Sequence, residues 1–206
     1  MKLLNSFKNK CLEVDASSFS SLALELFQFQ AENCEIYRNY LANLNVDINK
    51  ITEISQIPCL PIEFFKTHSV KTGDWEEVEV YQSSGTTGQS RSRHLIEDPQ
   101  FYLNNATGIF EEHYDQLTRY MFFALLPSYQ EQGHSSLVKM VDHFIAGSKS
   151  VDGGGFYLNR PDELITNLEH ALRHSNRSVI LFGVGYALLD LADILVEKGK
   201  RLDGLT

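Results

Sequence analysis

Two stretches constrain this chain more than any others, "RYMFFALLPS" and "SVILFGV". Each is an unbroken apolar run of strand length, and each ends at a chain breaker, Pro127 or Gly183. Runs without polar alternation suit strands buried on both faces, as in a parallel sheet covered by helices. The segments around them carry helical signals. "SSLVKMVDHFIAG" reads as a helix capped by Ser135 or Ser136 and ended at Gly147. "RPDELITNLEHALRHS" opens with Pro161, Asp162 and Glu163, which suit a helix N-terminus and its dipole. "GYALLDLADILVEKG" is a helix that Gly199 can close, and "SVDGGGFYLN" is a turn or short strand. The rhythm predicts an α/β fold, a layered sheet with flanking helices.

Upstream the pattern is different. "DASSFSSLALELFQFQAENCEIYRNYLANL" spaces Leu22, Leu26, Phe29, Tyr37, Tyr40 and Leu41 helically, as one long or two consecutive helices. Pro58 and Pro61 forbid a continuous helix in "ISQIPCLPIEFFKTHSV", leaving an extended connector with a short helix around Ile62 to Lys66. "WEEVEVYQSS" alternates as a strand does and runs straight into a glycine turn. Asp98 and Pro99 then open a helix. The expected division is a helical segment and connector over 1–72, then an α/β core over 73–206, incomplete where the next strand is due.

A net charge of −9 argues against sequence-independent binding to nucleic acid, which needs Lys and Arg to neutralise phosphates. It allows a small anion in a local basic pocket. Cys11, Cys34 and Cys59 are odd in number and form no CxxC pair, consistent with reduced thiols and a cytoplasmic location. The first apolar run is too short for a signal peptide, and no stretch approaches the roughly eighteen apolar residues of a membrane span.

The segment "YQSSGTTGQSRSRH" concentrates small, hydroxylated and cationic residues. Gly85 and Gly88 let the backbone approach a ligand, and successive N–H groups in such a turn form an anion-binding concavity. Ser83, Ser84, Thr86 and Thr87 add hydroxyl donors, and Arg91 or Arg93 a cation. The same composition also fits an ordinary surface turn. It is not a Walker loop, since the Gly199–Lys200 pair lacks a glycine five positions before it, and there is no GxGxxG.

"SSGTTG" resembles the phosphate-binding signature of the adenylate-forming superfamily. Together with "IPCLPIEFFKTHSV", "LLPSYQEQGHSSLVKMVDHFI" and "VILFGVGYALLDLAD", it is similar to the LuxE-type acyl-protein synthetases, over Ile57 to Asp193. The resemblance implies the N-terminal part of an adenylate-forming large domain. ATP and Mg²⁺ would activate a fatty or other apolar carboxylic acid as acyl-adenylate. The acyl group would pass to a thiol, a protein cysteine or CoA, and in the LuxE type onward to a reductase. It places Ser83, Ser84, Gly85, Thr86, Thr87 and Gly88 around the triphosphate. Arg91 stands where many relatives carry a Pro-Lys pair.

Four further residues are candidates for an acyl or nucleotide pocket. His134 and Ser135 follow the first apolar strand, where the resemblance implies pocket-lining residues; a solvent-facing loop position explains His134 equally well. Gly183 and Gly185 stand at the end of the second, where α/β folds bind ligands; a tight strand-to-helix turn explains these glycines equally well. No protein metal site is expected, since His170 and His174 lack a third ligand. The competing reading is a truncated, non-catalytic module that binds a nucleotide or a partner.

Overall fold

The computed structural model describes residues 2–83, 90–127, 133–150 and 153–205. It is mixed α/β and divides into two compact units, Met1–Tyr102 and Leu103–Thr206.

The first unit holds α1 (Lys2–Leu12), α2 (Phe19–Asn33), α3 (Glu35–Asn43), α4 (Phe64–Thr67), β1 (Glu79–Gln82) and β2 (Arg93–Ile96). The long amphipathic stretch is two helices, broken at Cys34, whose backbone is extended. Phe27, Ala31, Cys34, Tyr37 and Leu41 lie on their inner faces and form the core. Asp15 prepares the start of α2. Its Oδ1 accepts the backbone N–H groups of Ser17 and Ser18, both at 2.9 Å, and both hydroxyls. These bonds, that from the Ser17 hydroxyl foremost, lower its carboxyl pKa to about 2.

The connector is held by the Tyr37 hydroxyl, which donates to Pro58 O at 2.7 Å, and burial pushes that phenol up to about 12. The sequence reading places no element over Lys2–Leu12, where the structure has α1, and this helix is tied down. Phe7 is buried, with its ring centre 5.1 Å from that of Phe29, and Lys8 bridges Glu97 and Asp98 at 3.2 and 3.0 Å. Trp75 is half-buried; its indole N–H donates to Thr72 O at 2.9 Å, and the Lys71 ammonium lies 5.4 Å from its ring centre.

The helix α5 (Pro99–His113) starts as expected, with the Phe101 N–H donating to Asp98 Oδ1 at 3.0 Å. From Leu103 onward it belongs to the second unit. There follow β3 (Tyr120–Leu125), α6 (Ser136–Ser148), β4 (Gly155–Phe156), α7 (Pro161–His174), β5 (Ser178–Gly183) and α8 (Gly185–Glu197). The strands form a parallel sheet in the order β4-β3-β5, with Tyr120 opposite Ser178 and Leu125 opposite Gly183. On the far side of β5, Leu205 makes a parallel bridge to Val179.

All of β3 is buried, as an unbroken apolar run requires of a central strand. Met121, Phe123 and Leu125 pack with Leu164, Ile165 and Leu168 of α7 and Ala187 and Leu191 of α8. Tyr120 and Phe122 pack on the opposite face with Phe110 of α5 and Phe144 of α6. The second unit is therefore helix, sheet, helix in layers.

One expected boundary moves. Gly147 does not end α6; the helix continues to Ser148, and Lys149 takes the left-handed cap at φ 52°. Gly147 instead sits against Leu117, whose Cδ1 would lie 2.9 Å from an added Cβ. No described helix is long and apolar enough to cross a membrane.

Candidate functional site

The glycine-rich segment joins the two strands of a β-hairpin. β1 and β2 pair antiparallel, from Glu79 opposite Ile96 to Gln82 opposite Arg93. Beyond the last pair, Ser83 N–H donates to Ser92 O at 3.1 Å, and Ser92 N–H donates to Ser83 Oγ at 3.2 Å. The two hydroxyls meet at 2.8 Å. Ser84, Gly85, Thr86, Thr87 and Gly88 lie outside the described residues.

The strand after the loop was not anticipated, although a signal was present. In "RSRH", Ser92 is buried and His94 half-buried while Arg91 and Arg93 are exposed, the two-residue period of a strand. His94 stacks on Phe65 of α4, with ring centres 4.9 Å apart, and the Ser90 hydroxyl donates to Lys66 O at 3.4 Å. Among the described residues neither Arg91 nor Arg93 has an ion-pair partner, in a chain of net charge −9. Two exposed guanidinium groups without an ion-pair partner among the described residues raise the positive potential at this end of the hairpin.

In the second unit the remaining candidates collect at the carboxyl edge of the sheet. β3 leads to α6 on one face, and its neighbour β5 leads to α8 on the other. Adjacent strands whose connections leave in opposite directions open a crevice at their carboxyl ends, the usual ligand position in such folds. His134 is exposed there. The Ser135 hydroxyl caps α6, accepting the Val138 N–H at 3.4 Å. Gly183 is a packing position: an added Cβ would lie 2.7 Å from Leu188 Cγ and 3.3 Å from Leu125 Cβ. Gly185 is exposed, with nothing within 4 Å of such an atom.

The sequence reading did not foresee the cavity of about 480 Å³ between α5, α6 and β5. Ile109, Phe110, Met140, Phe144, Ile180 and Phe182 line it, and His113 and Tyr114 are its only polar side chains. Its size is that of small-molecule pockets, and its walls favour an apolar ligand. The residues that form it come from three separate elements, so no local motif announces it. Among the described residues no group of three or more His, Cys, Asp or Glu side chains converges on a metal position.

No family model and no solved structure matches the chain. A local match was found to the "long-chain-fatty-acid–luciferin-component ligase" of Photorhabdus luminescens, 40% identical over 68 residues. The match covers 32% of this chain and 58% of that relative, so the chain spans little more than half of the protein it matches. Part of this chain is thus similar to a ligase of the LuxE type.

Proposed function

We propose that this protein activates a fatty or other apolar carboxylic acid with ATP and passes the acyl group to a thiol. A carboxylate oxygen of the acid attacks the α-phosphorus and pyrophosphate leaves; the thiolate of a protein cysteine or of CoA then attacks the acyl carbonyl of the adenylate, and AMP leaves as the thioester forms. The observation that carries this reading is the 40% identity, over 68 residues, to a ligase named for long-chain fatty acids. Three features of the structure support it. The "SSGTTG" segment closes a hairpin whose ends are hydrogen-bonded together. Arg91 and Arg93 stand beside it without carboxylate partners among the described residues. The cavity walled by Phe110, Phe144 and Phe182 suits an aliphatic tail.

In this reading the loop donors, Ser83 to Gly88, and the Arg91 guanidinium bind the triphosphate and stabilise the charge that moves onto departing pyrophosphate. Mg²⁺ would accompany the triphosphate and offset its charge, with phosphates rather than a protein cage supplying most of its ligands. His134, Ser135, Gly183 and Gly185 border the crevice at the carboxyl ends of β3 and β5. A reductase that takes the acyl group onward is a partner consistent with the LuxE resemblance.

The deciding experiment is acid-dependent exchange of pyrophosphate into ATP by the full-length protein. Exchange that rises with long-chain acids is the expected result, and absence of exchange across a panel of acids overturns the proposal. Intact-mass spectrometry after turnover distinguishes the acceptors: an acyl adduct on the protein marks a cysteine, and acyl-CoA in solution marks CoA.

A further inference from the structure

We propose that His170 and His174 form an open site for a divalent transition ion, Cu²⁺, Ni²⁺ or Zn²⁺, at the C-terminal end of α7. Among the described residues the pair lacks a third ligand, which excludes a closed site whose ligands are all protein. It leaves an open site available, in which water fills the remaining positions.

The two residues stand four apart on α7, one above the other on the same face. Their ring centres are 4.7 Å apart and their planes meet at 45°. Two imidazoles that share one ion, each through a nitrogen at about 2.0–2.1 Å, have ring centres about 5 Å apart. The helix therefore already holds the pair at the required spacing, and what remains is rotation of two side chains. Both residues are exposed, and neither ring makes a hydrogen bond to another described residue. A neutral imidazole keeps one nitrogen lone pair in either tautomer, so each ring has a ligand to give without breaking a contact. On binding, each ring displaces one water from the hydrated ion.

The surroundings act in both directions. His174 is the last residue of α7, where the carbonyl end of the helix dipole favours a cation. Arg173 lies between the two histidines and Arg177 just beyond them, and both oppose one. The Arg177 guanidinium is drawn away, donating to Ser148 O at 2.8 Å. Glu169 offsets Arg173 in part, although it also holds the Lys200 ammonium at 2.8 Å. With charge so nearly balanced, the coordinate bond to nitrogen decides which ion is held. Imidazole suits Cu²⁺, Ni²⁺ and Zn²⁺, whereas Mg²⁺ and Ca²⁺ demand oxygen ligands.

The test is calorimetric titration of the full-length protein at neutral pH with Ni²⁺, Zn²⁺ and Mg²⁺ in turn, repeated on His170→Gln and His174→Gln. Both changes are at exposed positions and leave the core of α7 intact. Ni²⁺ and Zn²⁺ should each occupy one site that Mg²⁺ does not. Either substitution should weaken it on the order of tenfold or more, because the second imidazole binds intramolecularly. The double variant should do no worse than the weaker single one, since one ring alone is no longer a chelate. With Cu²⁺, electron paramagnetic resonance should show two coordinated nitrogens in the unaltered protein and fewer in each variant.

Equal affinity in the unaltered protein and both variants overturns the proposal and places the ion on other groups, such as the exposed Cys59. Loss in only one variant overturns the chelate and leaves a single-histidine contact. Equal binding of Mg²⁺ overturns the imidazole chemistry and leaves only general attraction to a chain of net charge −9.

Discussion

A carboxylate that collects four donors resists protonation, and Asp15 does so at the start of α2. Its pKa falls from 3.8 to about 2 on folding, so its contribution to stability is complete above pH 4 or so and is lost as pH falls through about 2. A carboxyl titration by NMR should find Asp15 titrating at about 2, and Asp15→Asn should abolish that part of the acid dependence. At the loop, Thr86→Val and Thr87→Val should weaken MgATP binding and leave the melting temperature unchanged; unaltered affinity in both would count against a triphosphate role. Arg91→Ala should cost affinity for ATP more than for AMP, as titration of each nucleotide would reveal. Such roles are only partly legible in a sequence. The residue types of "SSGTTG" raise the expectation of an anion turn, and five of its six residues lie outside the described ones; the pairing of Ser83 with Ser92 depends on strand register, which the letters do not carry.

Among the elements, legibility followed the length and purity of the apolar pattern. β3 and β5 are six residues each, one wholly buried and the other largely apolar, and both stand where the sequence places them. β2 has four residues, the first of them an exposed arginine, and its two-residue period is too brief to compete with a loop reading. The connection from β5 to α8 depends on a residue that has no side chain. Gly183 has Leu188 Cγ at 2.7 Å and Leu188 Cδ2 at 2.8 Å from the position of an added Cβ, with Leu125 Cβ on the other side. Gly183→Ala should cost about 1–3 kcal/mol, the usual penalty of overpacking, measured by denaturant unfolding. Leu188→Ala in the same background should recover part of the loss, since the clash is with that side chain. Gly185, with open space around it, should accept alanine with little change.

At the scale of the molecule, the boundary between compact units falls at Tyr102, inside the first turn of α5, which no change of composition marks. The apolar cavity was equally hidden, because Ile109, Met140 and Phe182 meet only after α5, α6 and β5 have packed. Ile109 is 53% exposed at its rim, so Ile109→Trp should fill the space without disturbing the core and shift pyrophosphate exchange towards shorter acids. The indole of Trp75 gives the molecule a built-in gauge. It is the chain's single tryptophan and belongs to the first unit. Emission excited at the red edge of the absorption band will therefore follow the melting of that half alone, while circular dichroism registers both. Superimposable curves would mean that the halves unfold as one cooperative body, and separated midpoints would date the loss of each in turn.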